Sequence, residues 1–204
     1  MTILITFDGV CGSGKTTQMQ RLEDYLLESG KHDVFIPERD AYFQNIRKSL
    51  SRFHKVRDSL SFGFVNRFTD VIDSLSVIKA QQNDCKLWKD KDIVLSDWYW
   101  NSIIQFGRDK NVLDAFQDLA KANNGYLPFM SFILRCSEPE CRKRIRERST
   151  TPHLEIFSYD ESNYNESIEW LSSELGFVFI IDGMQSEDDV HQDIITSFEE
   201  GMPL

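Results

Sequence analysis

The sequence predicts an α/β domain of three layers, a five-stranded parallel sheet with helices on both faces. Two observations carry that expectation. Short apolar runs of strand character alternate along the chain with stretches of helical spacing, which implies parallel pairing with helices covering both sheet faces. There are also no repeats, low-complexity tracts or long linkers, and 204 residues suffice for one substantial core, so a single domain over 1–204 is expected.

The elements follow in order. Ile3–Phe7, rich in β-branched residues, is the first strand. Lys15–Ser29 follows as a helix with Met19, Leu22, Leu26 and Leu27 at helical spacing, and Gly30 stops it. Val34–Ile36, ahead of Pro37, is the second strand, and two helical stretches, Tyr42–Leu60 and Phe62–Gln82, come next. Ile93–Leu95, Phe129–Leu134 and Phe177–Ile181 complete the sheet. Ser137-Glu138-Pro139-Glu140 combines a Ser cap, Pro in the first turn and Glu three residues after the cap, a strong helix start. Ser186-Glu187-Asp188-Asp189 opens the last helix by the same logic.

Composition narrows the function. A net charge of −10 disfavours a broad contact with a nucleic-acid polymer, which needs many phosphate-neutralising cations. No apolar run approaches the roughly 20 residues of a membrane helix. Met1 leads directly into the first strand with no basic segment ahead of it, so a cytoplasmic protein without a secretory signal is expected. Cys11, Cys85, Cys136 and Cys141 show no CxxC pairing, and reduced thiols without a zinc site are expected. One segment departs from the acidic average: between Arg39 and Arg67 seven Lys and Arg face only Asp40 and Asp58. For most of these a solvated helix surface is the plain reading.

In sheets of this kind ligands bind at the C-terminal ends of the strands. There the chain reads Gly9-Val10-Cys11-Gly12-Ser13-Gly14-Lys15-Thr16, then Thr17, which matches GxxxxGK[ST] between a strand and a helix. Glycines let backbone N–H groups curl around an anion, the helix N-terminus adds positive potential, Lys15 reaches the terminal phosphates and the Thr16 hydroxyl suits Mg²⁺. A nucleoside triphosphate with Mg²⁺ is the expected ligand. Asp97, at the end of the third strand, is the acid expected to help hold the metal, with Asp8 the second candidate. No Asn-Lys-x-Asp guanine reader is present, which argues against a GTPase.

Taken together these residues resemble the thymidylate kinase family almost from end to end. Phe7-Asp8-Gly9 through Lys15-Thr16-Thr17-Gln18 is similar to the family's F-E-G-x-D-x-x-G-K-[ST]-T-Q opening, and Pro37-Glu38-Arg39 to its P-E-R motif. Asn66-Arg67 matches the N-R of its third helix, Asp97-Trp98-Tyr99 with Ser102 resembles D-R-Y-x-x-S, and Pro139-Glu140 leading to Arg144, Arg146 and Arg148 resembles the approach to its lid, at about 142–157. The resemblance implies a P-loop kinase fold, phosphoryl transfer from ATP to dTMP, and a homodimer. It assigns Arg39 and Arg67 to the acceptor phosphate, Arg144 and Arg148 to the transferred group, and Asp8, Glu38, Phe64, Trp98, Tyr99 and Ser102 to the acceptor side.

Four departures stand against it. Cys11 replaces an acid that contacts the acceptor sugar, Trp98 replaces an arginine, Gly63 falls where a phenylalanine stacks on the base, and Ser149–Glu155 lacks the lid's D-R pair. Three readings therefore compete: a nucleoside monophosphate kinase, whose anionic acceptor needs the cationic clamp that Arg39 and Arg67 supply; a deoxynucleoside kinase with Glu38 as general base; and a nucleotide-binding protein with weakened or lost turnover, favoured by Cys11, Trp98 and the lid.

Overall fold

Ile3–Gly9 forms strand β1, the middle of a sheet ordered β2-β3-β1-β4-β5 in which every neighbouring pair is parallel. The other strands are β2 (Val34–Phe35), β3 (Ile93–Asp97), β4 (Met130–Arg135) and β5 (Val178–Asp182). The computed structural model describes residues 2–30, 32–36, 90–97, 99–100, 127–148 and 161–202, with a few positions between 104 and 121. The expected helices Tyr42–Leu60 and Phe62–Gln82 lie outside the described residues.

Four helices flank the sheet among the described residues: α1 (Lys15–Glu28), α2 (Glu138–Arg148), α3 (Glu161–Leu175) and α4 (Glu187–Gly201). Their burial follows from strand alternation. Ile5 and Phe7 of β1 point to one face, where Met19, Leu22 and Leu26 of α1 and Ile194 and Phe198 of α4 meet them. Leu4 points to the other face, which Ile168 and Leu171 of α3 cover together with Tyr99 and Trp100. Each fully buried large apolar side chain contributes about 1.5–3 kcal/mol. The result is the three-layer arrangement that the alternating pattern predicts.

Two helix starts illustrate how local chemistry sets the boundaries. Ser186 caps α4 by accepting from the Asp189 N–H at 3.2 Å, and Glu187, Asp188 and Asp189 follow in the first turn, where the helix dipole favours negative charge. The start of α2 falls where the sequence places it, but by other contacts. Ser137 directs its N–H and hydroxyl at the Met184 sulfur, 3.4 and 3.5 Å away, and the Glu140 carboxylate turns forward to Arg144 rather than closing a capping box. Helix α3 has no counterpart among the expected elements. Its buried residues Tyr164, Ser167, Ile168 and Leu171 do show helical spacing, but Asn, Ser and Glu around them dilute the apolar stripe.

The chain leaves β1 through α1 toward β2 on one side, and leaves β4 through α2 and α3 toward β5 on the other. Connections diverging from adjacent strands open a crevice at their C-terminal ends. The end of β1, Gly9, and Leu134 of β4 are register partners at that point.

Candidate nucleotide site

The loop between β1 and α1 fills this crevice. Gly9, Gly12 and Gly14 have φ of 138°, 84° and 104°, a region L side chains rarely adopt. Two of them also have no room for a side chain. A Cβ on Gly9 would lie 2.7 Å from the Leu134 carbonyl oxygen, and one on Gly12 would lie 2.6 Å from the Cys141 carbonyl oxygen in the first turn of α2. The loop is thus seated against β4 and α2 by bare backbone. Alternating left-handed residues of this kind turn successive N–H groups toward one concavity and make an anion nest. The Ser13 N–H donates to the Val10 carbonyl at 3.1 Å, and Gly14 opens α1 with no side-chain cap, which leaves the helix N-terminus to a ligand.

Lys15 is the first residue of α1 and only 6% exposed, and its ammonium donates to the same Val10 carbonyl at 2.8 Å. Thr16 beside it is exposed, and Thr17 half-buried. Asp97 ends β3 directly across from Phe7 of β1. The structure therefore brings Lys15, Thr16 and Asp97 to the ends of neighbouring strands, as their positions in the sequence imply. The donor set is hard oxygen, a hydroxyl and a carboxylate, which suits Mg²⁺.

A cavity of about 280 Å³ opens beside the loop. Its inner wall is Ser13, Gly14, Thr17 and Gln18; Arg144 and Arg148 of α2 stand across from them. Gly183 and Gln185, from the turn after β5, close the third side. Arg144 is held in place along its own helix by Glu140, whose carboxylate accepts from Nε at 3.0 Å and is in turn held below the ordinary carboxylate range, chiefly by that bond. Arg148 is exposed, whereas Arg142 is engaged by Glu138 at 2.6 Å.

Other expected site residues fare differently. Tyr99 is buried in the core, with its ring edge-on to Trp100 at 4.8 Å. Asp8 is fully buried, and its Oδ1 accepts from the Trp100 backbone N–H at 2.9 Å. Cys11 is exposed on the loop. Glu38, Arg39, Phe64, Arg67, Trp98, Ser102 and the lid beyond Arg148 lie outside the described residues.

A family model of thymidylate kinases matches residues 7–194, nearly the whole chain. The chain belongs to the thymidylate kinase family. A thymidylate kinase of Thermoanaerobacter sp. is 31% identical over 202 residues, covering 94% of each chain, and one of Sulfurihydrogenibium sp. is 26% identical over 98% of each. The crystal structure of thymidylate kinase from Ehrlichia chaffeensis shares the fold, with a TM-score of 0.57 at 19% identity over 97% of this chain and 98% of that one. Membership makes ATP the phosphate donor and nucleotides the ligands. Among the described residues no helix is long and apolar enough to cross a membrane.

The sequence alone does not reveal one part of this cavity, the wall formed by Gly183, Gln185 and Glu187. One signal was available: Asp182-Gly183 follows the fifth strand at its C-terminal end, and a Cβ on Gly183 would lie 2.9 Å from the Arg135 carbonyl and 3.2 Å from that of Ser13. Only a glycine lets this turn reach the phosphate loop.

Proposed function

We propose that this protein transfers the γ-phosphoryl group of ATP to dTMP, forming dTDP and ADP. The observation that carries the reading is the loop itself: backbone-seated glycines around an uncapped helix N-terminus, with Lys15 at the mouth and Arg144 and Arg148 across the cavity. The loop N–H groups and Lys15 bind the β- and γ-phosphates, and the ribose and adenine extend into the cavity between α1, α2 and the turn after β5. Thr16 and Asp97 hold Mg²⁺, which when bound neutralises phosphate charge as transfer proceeds. Arg39 and Arg67 clamp the acceptor phosphate so that two anions can be brought in line. Glu38, Phe64, Trp98 and Ser102 complete the acceptor side. An acceptor that is already ionised needs positioning and charge screening more than a strong base, and the cationic residues meet that need. The working form is a cytoplasmic homodimer.

The test is a panel of nucleoside monophosphates and nucleosides incubated with ATP and Mg²⁺, with ADP release as readout. dTMP is expected to give the highest kcat/KM. Turnover with deoxynucleosides but with no monophosphate would replace this reading by a deoxynucleoside kinase, and absence of turnover with both would leave a nucleotide-binding protein.

A further inference from the structure

Three polar residues lie where a buried strand would ordinarily be apolar. Thr6 and Asp8 of β1 and Ser131 of β4 are all fully buried, on the sheet face that α3 covers. Asp8 and Ser131 bond Trp100 directly, itself 0% exposed, and Thr6 bonds Ser131. The Trp100 backbone N–H donates to Asp8 Oδ1 at 2.9 Å, its indole N–H donates to Ser131 Oγ at 2.8 Å, and the Thr6 hydroxyl reaches the same Ser131 oxygen at 2.8 Å. Burying a carboxylate and two hydroxyls in a core costs stability unless each is matched. Here both hydroxyls and the Asp8 Oδ1 are matched to Trp100 or to its partner Ser131, so that much of the strands' polarity is tied to what it grips.

What it grips is Trp100, three residues beyond the end of β3. Asp97 is tied on one side by the β1–β3 ladder, in register with Phe7. Three residues later the chain is tied again, at the Trp100 amide and the Trp100 ring, across a sequence distance of 92 residues to Asp8. A carboxylate that ends a strand and must meet a ligand needs the turn beyond it fixed, because misplacement by about 1 Å costs on the order of a hundredfold in rate.

We propose that Asp8 is a positioning residue that, through the Trp100 amide, fixes the chain just beyond Asp97, and contacts neither metal nor acceptor sugar. The inference rests on the kinase reading above for its rate readout and on none of it for its structural readout. The full chain is compared as wild type, Asp8→Ala, Asp8→Asn and Trp100→Phe, by steady-state kinetics and by hydrogen exchange at the 97–104 amides. Asp8→Ala is expected to lower kcat about tenfold or more, to leave KM for ATP within about twofold, and to speed exchange at Trp100. Asp8→Asn keeps an acceptor oxygen at the same place, so it restores kcat to within about threefold of wild type and restores protection. Trp100→Phe keeps the amide bond and loses the indole one; it lowers the Tm while Trp100-position protection persists.

Asp8→Asn as impaired as Asp8→Ala, with a raised Mg²⁺ requirement, would overturn the proposal in favour of a metal ligand. A folded Asp8→Ala with wild-type kcat would reduce Asp8 to a structural residue. If Asp8→Ala does not fold, Asp8→Asn decides alone: near wild-type kcat with intact protection supports the clamp, and lost kcat with intact protection refutes it. A wild-type chain without turnover sinks the kinase reading only, and the clamp is then judged by exchange at Trp100 in the two Asp8 variants.

Discussion

The Lys15 ammonium and the Ser13 N–H both donate to the Val10 carbonyl, at 2.8 and 3.1 Å, so one oxygen ties the start of the phosphate loop to its end. The lysine is thereby held inside the loop.

Replacing Lys15 by Ala separates chemistry from folding. The Val10 carbonyl keeps its bond from Ser13, so no buried acceptor is stranded, and the loss of stability is about 1 kcal/mol. Under the proposed mechanism phosphoryl transfer loses the cation of the loop and is expected to fall at least about a hundredfold in kcat. Urea unfolding and ADP release on the same preparation check both halves. A variant that keeps its rate would remove Lys15 from the mechanism.

Gly12→Ala tests the seat of the loop on α2. The added Cβ meets the Cys141 carbonyl at 2.6 Å and the Ile145 side chain at 3.1 Å, and the residue must hold a φ of 84°. Backbone cannot yield as a side-chain tip can, so a loss of about 2–3 kcal/mol is expected. The disturbance passes into the turn that leads to Arg144, and ATP binding weakens in parallel. Equal stability and equal ATP affinity by calorimetry would show that loop and helix can part without cost.

These contacts explain what was legible beforehand. The loop was readable because its chemistry is local: Gly9, Gly12, Gly14, Lys15 and Thr16 lie within eight residues, between a strand and a helix whose patterns are clear. Asp97 was readable because a strand end is a defined place. The wall made by Gly183 and Gln185 was not, since it reaches Ser13 only through the order β1-β4-β5, which no local pattern encodes. The bond between Asp8 and Trp100 is not legible either, because the two residues lie 92 positions apart and only the fold brings them together. Helix α3 was hidden by its own polar residues, while its packing on β5 supplies the stability that its composition does not advertise.

His191 predicts an acid-side loss of stability. Burial, and then the charge of Arg21, lower its pKa below the ordinary 6.5, against the opposing pull of Asp188 and Glu187, and its Nδ1 has no hydrogen-bond partner among the described residues. The unfolded chain therefore takes up a proton near pH 6.5 before the folded chain does. Stability is fully present above that pH and declines as pH falls through the lower folded value. Urea midpoints at pH 7.5 and 5.5 should differ for wild type and converge for His191→Asn. Parallel declines in the two proteins would assign the effect to other groups.

Gly183→Ala tests whether the turn after β5 shapes the ATP side of the cavity. Its Cβ would lie 2.9 Å from the Arg135 carbonyl and 3.2 Å from the Ser13 carbonyl, both backbone, and the Gly183 N–H is already fixed to Arg135 at 2.7 Å. The turn must move away from the phosphate loop, carrying Gln185 with it. Lys15, Thr16 and Asp97 stay where their strands and helix hold them, so the chemical step is spared while the nucleotide's fit is not. KM for ATP is expected to rise about fivefold to tenfold, with kcat within about twofold and a loss of stability of about 1–3 kcal/mol. An unchanged KM would place the nucleoside of ATP outside this cavity, and a fall in kcat with unchanged KM would mean that the turn acts on the phosphates through Ser13 rather than on the base.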